Sequence, residues 1–104
     1  MKVLLDVPDD VLCAVVEGAH IRYWARDVRF SPSALLLVLR EREGDDGDAI
    51  TEPIRVDAAG FELALARMAA MAPAQFGRLI AGDWDADTGD VLVQLACFGD
   101  VKYG

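Results

Sequence analysis

The stretch Asp83-Trp84-Asp85-Ala86-Asp87-Thr88-Gly89-Asp90-Val91-Leu92-Val93-Gln94-Leu95-Ala96-Cys97-Phe98-Gly99-Asp100-Val101-Lys102-Tyr103-Gly104 decides how the chain folds. Carboxylates at its start oppose the unpaired amides and the positive end of a helix dipole, and Gly99 stands just past the last apolar residue, where a left-handed cap is needed. The spacing predicts a helix from about Ala86 to Phe98. The run from Val91 to Phe98 is apolar except for Gln94. A helix with so little polar surface must be covered by other elements on most of its circumference, which makes it the expected centre of the core. Leu92, Leu95 and Phe98 are expected to be buried. Asp83, Asp87, Asp90 and Gln94 recur on one side, and that side is expected to face water; the alternative for Gln94 is a buried amide tying the helix to strand backbone.

The alternating acids Asp83, Asp85 and Asp87 resemble the first half of a calcium loop. That loop requires glycine at its sixth position and a bidentate glutamate at its twelfth. Thr88 and Gln94 occupy those positions, so the acids read as helix-start and surface charge. Neither a metal nor any other cofactor is expected.

Working outward, 104 residues with 54% apolar content make one domain, able to bury a core without staples. Lys2 to Val7 alternates as a short strand, and Pro8, Asp9 and Asp10 open a helix running to about Glu17. From His20 to Phe30 the aromatic and β-branched content predicts a strand with Arg22, Trp24, Arg26, Val28 and Phe30 on one face. A second strand is expected from Ala34 to Glu43, and a third from Asp48 to Val56 beyond the loop Gly44-Asp45-Asp46-Gly47. Pro53 places that third strand at an edge or a bulge. Asp57 is the expected N-cap of a helix from Ala58 to Ala72, and Pro73 opens a shorter helix that Gly82 ends. The order β-α-β-β-β-α-α-α predicts an α+β fold: a small antiparallel sheet of about four strands with helices on one face.

The net charge of −8 is concentrated in two places. Residues 41–52 hold six acids and one base, and residues 83–104 hold five acids and one base. Phosphate contacts demand a basic surface, so direct nucleic-acid binding is disfavoured and a partner with a basic surface is permitted. The candidate partner-binding residues are accordingly Asp45, Asp46 and Asp48 on the acidic hairpin, and Asp83, Asp85 and Asp87 at the last helix. Arg22, Trp24 and Arg26, with Tyr23 beside them, add residue types that dominate interface hot spots. Their alternative is an ordinary sheet face with Trp24 tucked under the helices.

No catalytic constellation is apparent. His20 is the sole histidine, so any nucleophile triad must use it with Cys13 or Cys97. Both cysteines sit among aliphatic residues and are expected to be free core thiols. The N-terminus lacks the apolar run of a signal peptide, and Ala34 to Leu39 is too short to span a membrane. A soluble, cytoplasmic protein is expected.

Two segments resemble a known group. Glu17-Gly18 followed by Tyr23-Trp24, and the terminal Gln94-Leu95-Ala96-x-Phe98-Gly99 with Tyr103-Gly104, are similar to small proteins encoded by tailed bacteriophages and prophages. The opening Val3-Leu4-Leu5-Asp6-Val7-Pro8-Asp9-Asp10-Val11 is similar as well. The resemblance departs at Ala19-His20, where a second glycine would follow Gly18. It implies an accessory protein acting in the bacterial cytoplasm and carries no activity over; the absent catalytic constellation and the two acidic patches make a non-enzymatic protein that binds a host protein the leading expectation. By analogy of context, it could inhibit a host defence complex such as CRISPR-Cas. A small cysteine-dependent enzyme and a virion assembly component are the competing expectations.

Overall fold

A computed structural model describes residues 7–42 and 52–104. Helix α1 (Asp9–Glu17) leads to strand β1 (Ala25–Ser31), a 3-10 turn at Pro32–Ala34, and strand β2 (Leu36–Glu41). Strand β3 (Ile54–Val56) precedes helices α2 (Ala58–Met71), α3 (Pro73–Ala81) and α4 (Ala86–Phe98). The architecture is α+β, with an antiparallel sheet in the order β1-β2-β3. The expected strand at Lys2 to Val7 falls almost wholly outside the described residues, as does the acidic loop with Asp45, Asp46 and Asp48.

Helix α4 takes the central position expected of it, packing against α1, α2, α3 and β3. Leu92, Val93 and Leu95 are completely buried, and Phe98 is half-buried against the ring of Trp24. Its start is a reciprocal cap: the Asp85 carboxylate accepts from the Thr88 amide, and the Asp85 amide donates to the Thr88 hydroxyl. Gly99 ends it at φ 74°, a left-handed conformation that costs other residues energy. Helix α2 begins where Asp57 accepts from the Gly60 amide, and its Phe61, Ala64, Leu65 and Met68 face the core. The ring of Phe61 meets Phe30 of β1 edge-on at 6.3 Å.

The segment from His20 corrects the expected strand. Residues 21–25 form a tight turn, in which the amides of Trp24 and Ala25 both donate to the Ile21 carbonyl, and β1 begins only at Ala25. An extra residue then interrupts the ladder between Arg26 and Arg29, where Asp27 has φ 52°. One inserted residue reverses the facing of everything beyond it. Phe30 therefore pairs with buried Leu37 on the inner face, whereas Arg26 pairs with Arg40 on the outer face. Arg29, Val38 and Arg55 lie in register on that same outer face. The second strand is also shorter than expected, because Leu35 adopts a left-handed conformation (φ 48°) after the 3-10 turn. Among the described residues β3 is an edge strand, one of the two places Pro53 allows it.

Glycine 89 decides how close α1 comes to α4. A Cβ at that position would stand 2.7 Å from both the Val15 carbonyl oxygen and the Ala19 Cβ. Only glycine permits this approach, and the His20 amide donates across it to the Ala86 carbonyl at 3.1 Å. No helix among the described residues is long and apolar enough to cross a membrane.

Candidate functional site

Gln94 is the most consequential departure from the sequence reading. Expected at the surface, it is completely buried. Its amide is saturated: Nε2 donates to Asp90 Oδ1 and to the Tyr103 carbonyl, both at 2.9 Å. Oε1 accepts from the Lys102 amide at 2.8 Å and the Tyr103 amide at 2.7 Å. A side-chain amide has two donors and one oxygen with two lone pairs, and here all of them are used on one another's neighbours. The chain after Gly99 is thereby laid back over Gln94, while Asp83 and Asp87 on the same side are exposed as expected.

Four further contacts hold that tail. The Tyr103 ring stacks on Trp24 at 5.5 Å with only 8° between planes. Glu41, at the end of β2, accepts from both the Tyr103 hydroxyl and the Lys102 ammonium. Those donors hold the Glu41 carboxyl below its ordinary range. Glu41 therefore anchors the tail. The Lys102 ammonium also lies 5.1 Å from the centre of the Phe98 ring.

Asp90 is the hub on the other side of Gln94. Its Oδ2 accepts from the Tyr23 hydroxyl at 2.6 Å, and its Oδ1 accepts from the Trp24 indole at 2.8 Å as well as from Gln94. All three donors are neutral. Among the described residues no cation pairs with Asp90. Burial and then the hydrogen bond to this carboxylate push the Tyr23 hydroxyl up to about 12, with Asp87 adding to the push. Tyr23 therefore remains a neutral donor throughout the physiological range. Its ring stacks on the exposed His20 at 5.3 Å.

Beside these groups lies an open surface cavity of about 480 Å³, whose wall includes His20, Tyr23, Asp87, Asp90, Val101 and Tyr103. It lies within the size range of ligand pockets. It combines carboxylates, aromatic rings and a small aliphatic surface.

The candidate residues from the sequence separate sharply. Asp87 is exposed in the first turn of α4 and lines the cavity. Asp85 is committed to the cap and pairs with Arg78 at 3.0 Å. The Thr88 amide, above all, holds the Asp85 carboxyl below its ordinary range. Asp83 is exposed, and its backbone exchanges hydrogen bonds with Arg78. Among the described residues no grouping of metal-ligating side chains occurs. Trp24, named as a candidate for a binding surface, is only 1% exposed and belongs to the core, in line with the alternative that tucks it under the helices. Its indole nitrogen explains why it can be buried there, since Asp90 satisfies it. Arg22 is exposed, with its carbonyl held by the Arg42 side chain at 2.7 Å, and Arg26 is half-buried on the outer sheet face. The turn at 21–25 prevents Arg22, Trp24 and Arg26 from sharing one surface.

The two thiols do not form a reactive pair with this site. Burial, reinforced by the Glu41 charge, pushes Cys97 up to about 12. Cys13 is also raised, by burial and then by the charges of Glu17, Asp9 and Asp10.

The sequence reading missed Asp90, Gln94 and Tyr103 as a connected set. A signal was present, because a lone amide inside an apolar helix must find partners if it is buried. Compared with known proteins, the chain matches no family model, no curated protein and no solved structure.

Proposed function

We propose that this chain is a non-enzymatic binding module that engages a basic protein partner at the cavity between Tyr23, Asp87 and the tail. The observation that carries this reading is the state of Asp90, an anion served only by neutral donors among the described residues and set at the edge of an aromatic-walled cavity. An anion compensated by dipoles still attracts a cation strongly at short range. Catalysis is disfavoured by the same chemistry. Asp90 already accepts three hydrogen bonds, Tyr23 is held neutral, and both thiols are raised away from the reactive thiolate.

The resemblance of the two terminal segments gives the setting: an accessory protein of a tailed phage or prophage, acting in the bacterial cytoplasm. Occupying a basic surface of a host defence complex, CRISPR-Cas included, is the role that this setting and the acidic cavity jointly favour. Affinity capture from bacterial lysate with the wild-type chain and with Asp87→Lys tests the reading. A protein retained by the wild type, released by moderate salt and lost with Asp87→Lys is the expected result. No retained protein, or a retained small-molecule substrate that is turned over, would contradict it.

A further inference from the structure

We infer that the cavity beside Asp87 and Asp90 takes an arginine side chain of the partner, an assignment that rests on the binding-module reading above. Its wall supplies each part of what that side chain needs. Tyr23 is 45% exposed and, with His20 stacked on one face of its ring, still offers aromatic surface to a guanidinium plane. Asp87 offers a free exposed carboxylate at the rim, and Asp90 offers a second negative charge whose three bonds all come from neutral groups. A carboxylate has about four lone-pair sites, so Asp90 retains room for a further donor. Val101, 41% exposed, and the half-buried Val91 provide aliphatic surface for the methylene stem. None of the described residues lining the cavity is a lysine or an arginine, and His20 is the basic side chain among them.

Arginine fits better than lysine for two reasons. Its planar, weakly hydrated cation can lie against Tyr23 and still donate to carboxylates at its edge. A compact ammonium is a strongly hydrated point charge that cannot lie flat against the ring while it donates to two carboxylates. The arrangement is also pre-formed: Gln94 fixes the tail that makes one wall, and the turn bonded to the Ile21 carbonyl fixes Tyr23 and the neighbouring Trp24.

The test is a titration of the full chain with acetyl-Gly-Arg-Gly-amide, followed by amide chemical shifts. The lysine peptide, the isosteric but neutral citrulline peptide and free arginine amide serve as comparisons. Saturable shifts are expected at His20, Tyr23, Val91 and Val101, with the arginine peptide binding at least about tenfold more tightly than the citrulline peptide, the scale of a charge-assisted contact. Asp87→Asn should remove most of that difference, while Asp83→Asn should leave it unchanged. Both positions are exposed, so neither variant threatens the fold. Equal binding of the citrulline or lysine peptide would overturn the assignment, as would unchanged affinity in Asp87→Asn. Free arginine amide matching the peptide would transfer the site to a small-molecule cation and likewise overturn it. If the chain still captures a protein partner while ignoring every peptide, the arginine assignment fails and the binding-module reading survives.

Discussion

Gln94 and Tyr103 are joined by a reciprocal pair of hydrogen bonds, the Tyr103 amide donating to the glutamine oxygen at 2.7 Å and the glutamine nitrogen donating to the Tyr103 carbonyl at 2.9 Å. A side chain on α4 thus does for the tail what a neighbouring strand would do, and Tyr103 is placed over Trp24 as a consequence.

Replacing Gln94 with leucine keeps the approximate volume and removes every one of these bonds. Buried groups left without partners cost about 1–3 kcal/mol each, but the tail can peel away and hydrate. The expected net loss is about 2–4 kcal/mol in a urea melt, accompanied by a red shift of tryptophan emission as Trp24 loses its cover. A variant as stable as the wild type would mean that the tail is not held in this way.

Gly89 offers a second test of the packing around α4. Alanine in a helix interior is ordinarily better than glycine by roughly 0.5–1 kcal/mol. Here the added methyl would meet the Val15 carbonyl and Ala19 at 2.7 Å, and the main chain cannot yield as a flexible side chain does. Overpacking of this kind costs about 1–3 kcal/mol, so Gly89→Ala is expected to lower stability despite the gain in propensity. A raised thermal midpoint would show that α1 and α4 are not in close contact.

Much of the helical frame was legible because its signals are local. The boundaries of α4 follow from Asp85 and Gly99, and those of α2 from Asp57 and Pro73. What was not legible depends on partners distant in sequence. Residues 21–25 have strand-like composition, but the Ile21 carbonyl captures two amides and turns the chain. The inserted residue at Asp27 then exchanges the two faces of β1, which no alternation pattern can register. Gln94 looked exposed because the acids beside it are polar, and the tail that covers it lies beyond Gly99. Trp24 carried the right residue type for an interface, yet Asp90, 66 positions away, draws it into the core.

The anchor at Glu41 makes part of the stability depend on acid. Lys102 and Tyr103 hold the folded carboxyl below its ordinary value of 4.5, so the unfolded chain takes up the proton first as pH falls. The stabilisation is present above that value and is lost as pH falls through the folded one. Asp85, lowered by its cap, acts in the same direction. In melts from pH 7 to pH 2, Glu41→Gln is expected to be less stable than the wild type near neutrality, with the gap closing in acid. A gap that is constant with pH would remove Glu41 from the account.

Cys97 should behave as a core thiol. With its ionisation pushed up from 9.0 to about 12, its thiolate fraction at pH 8 is roughly a thousandfold below that of an unperturbed cysteine. Iodoacetamide should label it slowly in the native chain and rapidly in denaturant, as read by mass spectrometry. Fast native labelling that follows a pH midpoint near neutrality would revive the cysteine-enzyme alternative.

The central claim is that the surface formed by Tyr23, α4 and the tail meets the partner. Hydrogen exchange on the full chain, alone and in the captured complex, measures this directly. Binding is expected to slow exchange at residues 20–23, 87–91 and 101–103, with little change across α2 and α3. Protection confined to α2, α3 or the outer face of the sheet, with the cavity residues unchanged, would contradict it.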